Sequence, residues 1–255
     1  MTISRVLPPD RAALIIPMDH GLTMGNLPGL EHPAGLLERL IAAGVDGTLL
    51  SPGLAGRLGA RCREGGMSVT LTLDYQLWSD RAGTLEHISD VFPVCSVARA
   101  RDLGADAVKL LMPYGLGTKV TREVLSLAAS VAEDARTHDL PLVLEPLWMG
   151  PALGADEHDE VIVHGSRVAV ELGADILKIP ALGTGALREV LRWGVPTVFL
   201  GGARQDDPAA LFARIREGIG LGARGVVVGR NVWQSPDMDQ AIAALRGALQ
   251  PQVPG

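Results

Sequence analysis

The chain has 255 residues, with 23 basic and 29 acidic side chains, a net charge of −6, 47% hydrophobic residues and a mean hydropathy of +0.22. That length suits one large domain or two small ones, and a core of that apolar content excludes a disordered chain. No stretch free of Asp, Glu, Lys and Arg exceeds 11 residues, short of the roughly 20 apolar residues of a membrane span, and an acidic chain without a basic block is a poor ligand for nucleic acid.

Taken in chain order, apolar runs rich in β-branched residues fall at 12–19, 47–51, 68–73, 107–112, 142–147, 176–180, 197–202 and 225–229. Longer amphipathic stretches separate them. Residues 118–139 carry Val120, Val124, Leu127, Ala128 and Val131 at helical spacing, and residues 208–220 carry Leu211, Ile215 and Ile219. Pro208 fits the first turn of that second helix, with Asp206 or Asp207 as its cap. AGVD (43–46), LGAD (103–106), LGAD (172–175) and LGAR (221–224) each stand just before an apolar run. Glycine there reads as a left-handed helix terminus leading into a strand. Eight strand candidates alternating with helices, in about the length one barrel needs, predict a single (β/α)₈ TIM barrel over residues 1–255. The tail at 250–255 is expected to fray.

Candidate chemistry gathers at the ends of these runs, where a barrel builds its active site. The first run ends in Asp19 and His20. Asp19 either binds a substrate hydroxyl, orients an amine, or merely caps the loop; His20 stands in the same mouth. Asp74 ends the third run in a similar position, with a weaker case. Twenty of the 23 basic residues are arginine, and the lysines are Lys109, Lys119 and Lys178. Each lysine therefore raises the question of why arginine does not serve. Lys109 lies inside the fourth run and Glu145 inside the fifth. Lys109 is either a second cation that depresses a neighbouring amine's pKa or the counter-charge of Glu145. A carboxylate at an apolar strand end is uncommon, and Glu145 suits acid/base work or electrostatic support of a lysine.

Lys178 carries the sharpest signal. Strand alternation puts Ile176, Lys178 and Pro180 on one face and Leu177 and Ile179 on the other. An amine buried there is costly unless paired or neutral. Desolvation favours the neutral form, which attacks a carbonyl to give a Schiff base; the plain alternative is a snorkelling or ion-paired lysine. The seventh and eighth runs end in Gly201-Gly202-Ala203-Arg204 and Gly229-Arg230-Asn231. Loops at these two places cradle phosphate in many barrels. Glycine lets the backbone approach, and Arg204 or Arg230 adds charge-assisted bonds.

Other signatures are missing. The histidines at 20, 32, 87, 138, 158 and 164 show no zinc spacing, and there is no GxGxxG, P-loop or GxSxG. Trp148 and Trp233 either line a pocket or pack the core. Cys62 and Cys95 follow no metal or redox spacing, and MTISRVLPPDR is no secretory leader, so a reducing cytoplasm is the expected compartment.

MDHG at 18–21, GADILK at 173–178, GGAR at 201–204 and GRNVWQ at 229–234 are similar to the archaeal-type fructose-bisphosphate aldolases. These form a branch of the class I, Schiff-base aldolases of the DeoC/LacD/FbaB type, and the resemblance covers nearly the whole chain. It implies Lys178 as the Schiff-base lysine and the two glycine loops as a phosphate site. It further implies a phosphorylated sugar substrate, no metal or other cofactor, and a homo-oligomer. The archaeal-type branch places a proton-donating tyrosine where Leu147 stands here. LEPL at 144–147 and VKLLMPY at 108–114 instead look like the tagatose-bisphosphate and sulfofructose-phosphate aldolases, which implies Glu145 as proton shuttle and Lys109 as its assistant. The expected activity is cleavage or formation of a carbon–carbon bond of a phosphorylated ketose, with dihydroxyacetone phosphate or a related ketone as donor. The branch also holds a thiolase of phosphorylated autoinducer-2 and an amino-dideoxy-heptulosonate synthase. Acyl or transaldol-like transfer by the same lysine is therefore the alternative, and a non-catalytic phosphosugar-binding barrel is the third.

Overall fold

Gly44, Gly104, Gly173 and Gly222, the glycines of the four repeats, all adopt positive φ, between 67° and 114°. Each closes a helix and turns the chain into the next strand, a conformation that a Cβ would strain. The computed structural model describes residues 3–78 and 88–250; the expected fraying beyond residue 250 and His87 lie outside them.

Among the described residues the elements run β1 Ala13–Ile15, α1 Gly21–Met24, α2 Pro33–Ala42, β2 Gly47–Leu50, α3 Pro52–Glu64 and β3 Ser68–Thr72, then β4 Asp74–Trp78, β5 Ile88–Pro93 and α4 Val97–Asp102. They continue with β6 Ala107–Tyr114, α5 Thr118–Thr137, β7 Leu142–Trp148, α6 Ala155–Leu172, β8 Ile176–Ile179 and α7 Thr184–Leu191. The last are β9 Thr197–Leu200, α8 Ala209–Leu221, β10 Gly225–Val227, α9 Arg230–Trp233 and α10 Met238–Leu249. Eight parallel strands close in the order β1-β10-β9-β8-β7-β6-β3-β2, and β4 and β5 form a separate antiparallel pair. The fold is a (β/α)₈ TIM barrel.

Alternation along the strands sorts side chains into two cores. Leu14, Leu71, Val108, Leu144, Leu177, Phe199 and Val226 face outward and join the helices. Ala13, Ile15, Leu49, Ala107, Val143, Ile176, Val198 and Val227 face inward and meet Val6 and Leu7, which seal the N-terminal end of the barrel. Among the described residues apolar side chains therefore plug that end, opposite the strands' C-terminal mouth.

The strands end earlier or later than the apolar runs, for local reasons. β1 stops at Ile15 because Pro17 has no N–H to donate, yet the path continues. Ile16 and Met18 donate to the carbonyls of Gly47 and Leu49 at 3.0 and 2.9 Å. The helix expected at 118–139 ends at Thr137, and Asp139 turns away at φ 55°. Pro208 precedes its helix as the N-cap, and Asp207 accepts from the Ala209 amide at 2.9 Å. The β4–β5 hairpin has no counterpart among the predicted runs. It leaves the barrel where the Leu73 carbonyl accepts from Val94 at 2.8 Å. Its outer face exposes Leu77, Phe92 and Val94. No helix among the described residues is long and apolar enough to cross a membrane.

Candidate active site

Register brings the inward-facing charges together. Between β6 and β7 Lys109 pairs with Val143 and Leu111 with Glu145; between β7 and β8 Leu144 pairs with Leu177. Glu145 therefore faces the mouth between the two lysines. Lys178 Nζ donates to Glu145 Oε1, and Lys109 Nζ lies 3.0 Å from Glu145 Oε2. Lys109 also approaches both oxygens of Asp74, at 3.3 and 3.4 Å, and Asp74 Oδ1 accepts from the Leu111 amide at 3.0 Å. Asp74, Lys109, Glu145 and Lys178 thus alternate in sign along one chain of contacts. Their exposures are 0%, 2%, 5% and 9%, so each charge depends on its neighbours rather than on water.

The electrostatics follow from that alternation. Burial pushes the Glu145 carboxyl up, but the two ammonium groups outweigh it and hold it below the usual glutamate range. Burial would strip the proton from Lys109; Asp74, Glu145 and Asp19 reverse this and raise it above the ordinary lysine value. For Asp74 burial dominates, and its carboxyl is raised despite Lys109 and the Leu111 amide. The geometry matches the counter-charge reading of Lys109, which sits on Glu145 and Asp74.

Asp19 follows β1 at the rim. Its Oδ2 accepts from Thr72 Oγ1 at 2.5 Å, and its Oδ1 lies 3.4 Å from His20 Nδ1. Burial raises the Asp19 carboxyl, but His20, Lys109 and Lys178 hold it far below the carboxylate range. His20 packs edge-on against the Trp233 ring, with centroids 5.4 Å apart. Trp233 in turn donates to the Pro17 carbonyl at 3.1 Å.

Glycines 201, 202 and 229 and Arg230 line the same cavity, of about 180 Å³, as Asp19, His20, Lys109, Glu145 and Lys178. Two of these glycines are sterically required. A Cβ on Gly201 would stand 2.7 Å from Val228 Cγ1, and one on Gly229 would stand 2.9 Å from Trp233 Nε1 and 3.1 Å from His20 Cε1. The Arg230 Nε is buried without a hydrogen-bond partner, and burial pushes its guanidinium pKa down. An anion at this end of the cavity would supply the missing acceptor.

Arg204 is the misplaced expectation: it is exposed, 3.7 Å from Asp206, and does not line the cavity. Neither Trp148 nor Trp233 lines the cavity; they donate to Pro151 and Pro17 carbonyls instead. Sequence reasoning passed over Thr72, Asn231, Gln76 and Trp78. Asn231 ties the two glycine loops together: its amide donates to Gly201 and Ala203 carbonyls at 3.0 and 3.1 Å, and its Oδ1 accepts from the Gln205 amide at 2.8 Å. Its place in GRNVWQ was a usable signal. Thr72 offered none beyond its strand position, and Gln76 and Trp78 arrive on the unforeseen hairpin.

Comparison with known proteins narrows the chemistry. A family profile described as DeoC/LacD family aldolase matches residues 13–235. The 2-amino-3,7-dideoxy-D-threo-hept-6-ulosonate synthase of Halobacterium salinarum is 32% identical over 255 residues, covering 97% of this chain and 89% of its own. An archaeal fructose 1,6-bisphosphate aldolase superposes with a TM-score of 0.81 at 26% identity, covering 97% of both chains. Another such aldolase, solved with its catalytic lysine covalently bound to the carbinolamine intermediate of the substrate, gives 0.77 at 26% identity and the same coverage.

Proposed function

The chain belongs to the DeoC/LacD family of aldolases, and on that premise we propose that it makes or breaks a carbon–carbon bond of a phosphorylated ketose through a Schiff base on Lys178. The observation that carries this reading is the Lys178–Glu145 contact in the barrel mouth, with Lys109 on the other carboxylate oxygen. A nucleophile and its base within hydrogen-bond reach, the base held by a third group, is the arrangement covalent catalysis needs.

Glu145 takes the ammonium proton of Lys178, and the free amine attacks the C2 carbonyl carbon. An amine proton shifts to the new oxygen, and the carbinolamine hydroxyl leaves as water with the proton held by Glu145. The resulting iminium is the electron sink. Glu145, again ionised, takes the C4 hydroxyl proton, the C3–C4 electron pair flows toward the iminium nitrogen, and the aldehyde departs. Glu145 returns its proton to C3 of the enamine, and water hydrolyses the iminium. Lys109 keeps Glu145 ionised between these steps. Asp19, fixed by Thr72, orients the substrate hydroxyl or the amine. Gly201, Gly202, Gly229 and Arg230 receive the phosphate.

The test is trapping. Incubation with dihydroxyacetone phosphate and borohydride should leave an adduct on Lys178 in the mass spectrum. An adduct on Lys109 would reverse the roles of the two lysines. No adduct, with phosphate binding intact, would leave a binding barrel or a different donor. Activity lost to a chelator and regained with zinc would overturn the scheme.

The 32% identical heptulosonate synthase favours a second reading, transfer of a ketose fragment by the same lysine. Product analysis with and without an added acceptor separates transfer from simple cleavage.

A further inference from the structure

The β9–β10 ladder runs out at the edge of the cavity. Its residues pair as far as Leu200 with Val227, and the Gly201 amide still donates to the Val227 carbonyl at 3.2 Å. There β10 ends, and a side chain takes over: Asn231, in the single turn of α9. Its Nδ2 donates to the Gly201 carbonyl at 3.0 Å and to the Ala203 carbonyl at 3.1 Å, and its Oδ1 accepts from the Gln205 amide at 2.8 Å. Asparagine at a helix start commonly bonds its own backbone; this one, 5% exposed, spends two donors and an acceptor on the neighbouring loop. Serine has one donor and an ionised aspartate has none, so neither replaces it.

The three bonds fix an orientation. Across a trans peptide the carbonyl and the following N–H point in opposite directions, and no peptide among the described residues is cis. With the Gly201 carbonyl turned to Asn231, the Gly202 N–H points away from Asn231. Gly201, Gly202 and Arg230 line the cavity and Asn231 does not, so that N–H is turned to the cavity side. Among the described residues it meets no backbone acceptor. The Arg230 Nε is buried without a partner at the same cavity. A backbone N–H and a guanidinium N–H that both lack an acceptor suit one ligand, an anion with several oxygens.

We propose that Asn231 is the positioning residue of the phosphate subsite. By fixing the Gly201 peptide it holds the Gly202 N–H ready for a phosphate oxygen, and so sets the preference for phosphorylated over unphosphorylated ketone donors. This rests on the reading of the glycine loops as the phosphate site. Asn231 itself touches no substrate.

The experiment titrates the full chain with inorganic phosphate by calorimetry and traps dihydroxyacetone phosphate and dihydroxyacetone on Lys178 with borohydride. Asn231→Asp keeps the size of the side chain and the acceptor for Gln205 but loses both donors. Asn231→Ala loses all three bonds without adding charge. Either variant, folded by circular dichroism, should weaken inorganic phosphate about tenfold or more, the weight of one bond to a charged group. The ratio of phosphorylated to unphosphorylated ketone trapped should fall by a similar factor. Phosphate affinity unchanged in both folded variants, or an unchanged trapping ratio, overturns the proposal, since a merely structural side chain would lower both ketones alike. Wild-type protein that binds no inorganic phosphate removes the subsite and the proposal with it. Wild-type phosphate binding without a Lys178 adduct overturns the Schiff-base reading alone, and the phosphate titration then decides the role of Asn231.

Discussion

Glu145 and Lys178 face each other one register step beyond Leu144 and Leu177, which pair across β7 and β8. Lys178 Nζ donates to Glu145 Oε1 there, in a site almost closed to water. The strand register alone therefore brings these two side chains together, before any loop contributes.

That contact predicts a division of labour. Glu145→Gln keeps the shape of the side chain and removes its basicity. It should lower kcat by about 10²–10⁴-fold, the usual contribution of a positioned acid/base group. Lys178→Met should abolish both turnover and the borohydride adduct. Steady-state kinetics and adduct mass spectrometry check the pair. A Glu145→Gln enzyme with wild-type kcat would remove this residue from the proton path.

The pH profile carries the sign of the Glu145 shift. Its carboxyl is held below the glutamate range, against burial, by Lys109 and Lys178. The acid limb of kcat/KM should therefore fall below ~4.3, the ordinary glutamate value. Lys109→Met deletes one of the two cations and should move that limb upward. A limb that does not respond belongs to another group.

Asp19 links pH to stability. A carboxyl whose folded pKa is depressed contributes stability that is fully present above its unfolded value, ~3.9, and is lost as pH falls from there through the folded value. The Asp19 carboxyl is depressed by His20, Lys109 and Lys178 against its burial. The gap in urea midpoint between wild type and Asp19→Asn should hold constant from neutral pH to about pH 4 and shrink below it. A gap that widens on acidification would contradict the charge assignment.

Lys109 and Asp74 form a buried pair at 2% and 0% side-chain exposure. Lys109→Met leaves the Asp74 carboxylate without its cation and should cost about 3–5 kcal/mol in unfolding free energy, whereas Asp74→Leu should cost less, because Lys109 keeps Glu145 at 3.0 Å. Asp74→Leu combined with Lys109→Met should cost less than the sum, since neither strands the other. A double-mutant cycle in urea measures the coupling.

Arg230 predicts a binding effect. One charge-assisted bond contributes about 1.5–3 kcal/mol, so Arg230→Met should raise KM for a phosphorylated ketone donor by roughly 10–100-fold, with kcat retained. Arg204→Met should leave that KM unchanged, because Arg204 is exposed and turned to Asp206. Equal effects from both would relocate the phosphate to the outer loop.

The eight strands, the helix-ending glycines and the inward faces of Lys109, Glu145 and Lys178 were readable from the chain because all of them are local. A strand repeats every two residues, and a left-handed turn is set by one glycine. Nothing so local fixes which inward side chains touch. The Lys178–Glu145 contact joins residues 33 apart and the Lys109–Asp74 contact residues 35 apart. Both depend on how the sheet closes, and closure is a property of all eight strands together. Asp74 accordingly looked like a minor strand-end acid, yet it anchors Lys109. Arg204 looked like a phosphate ligand, yet it is exposed beside Asp206 and does not line the cavity. The hairpin was hidden because β4 and β5 pair only with each other, outside the barrel, so neither carries a buried apolar run of its own. Residue pattern was enough for the barrel and its lysines; the charge partners exist only once the ring is closed.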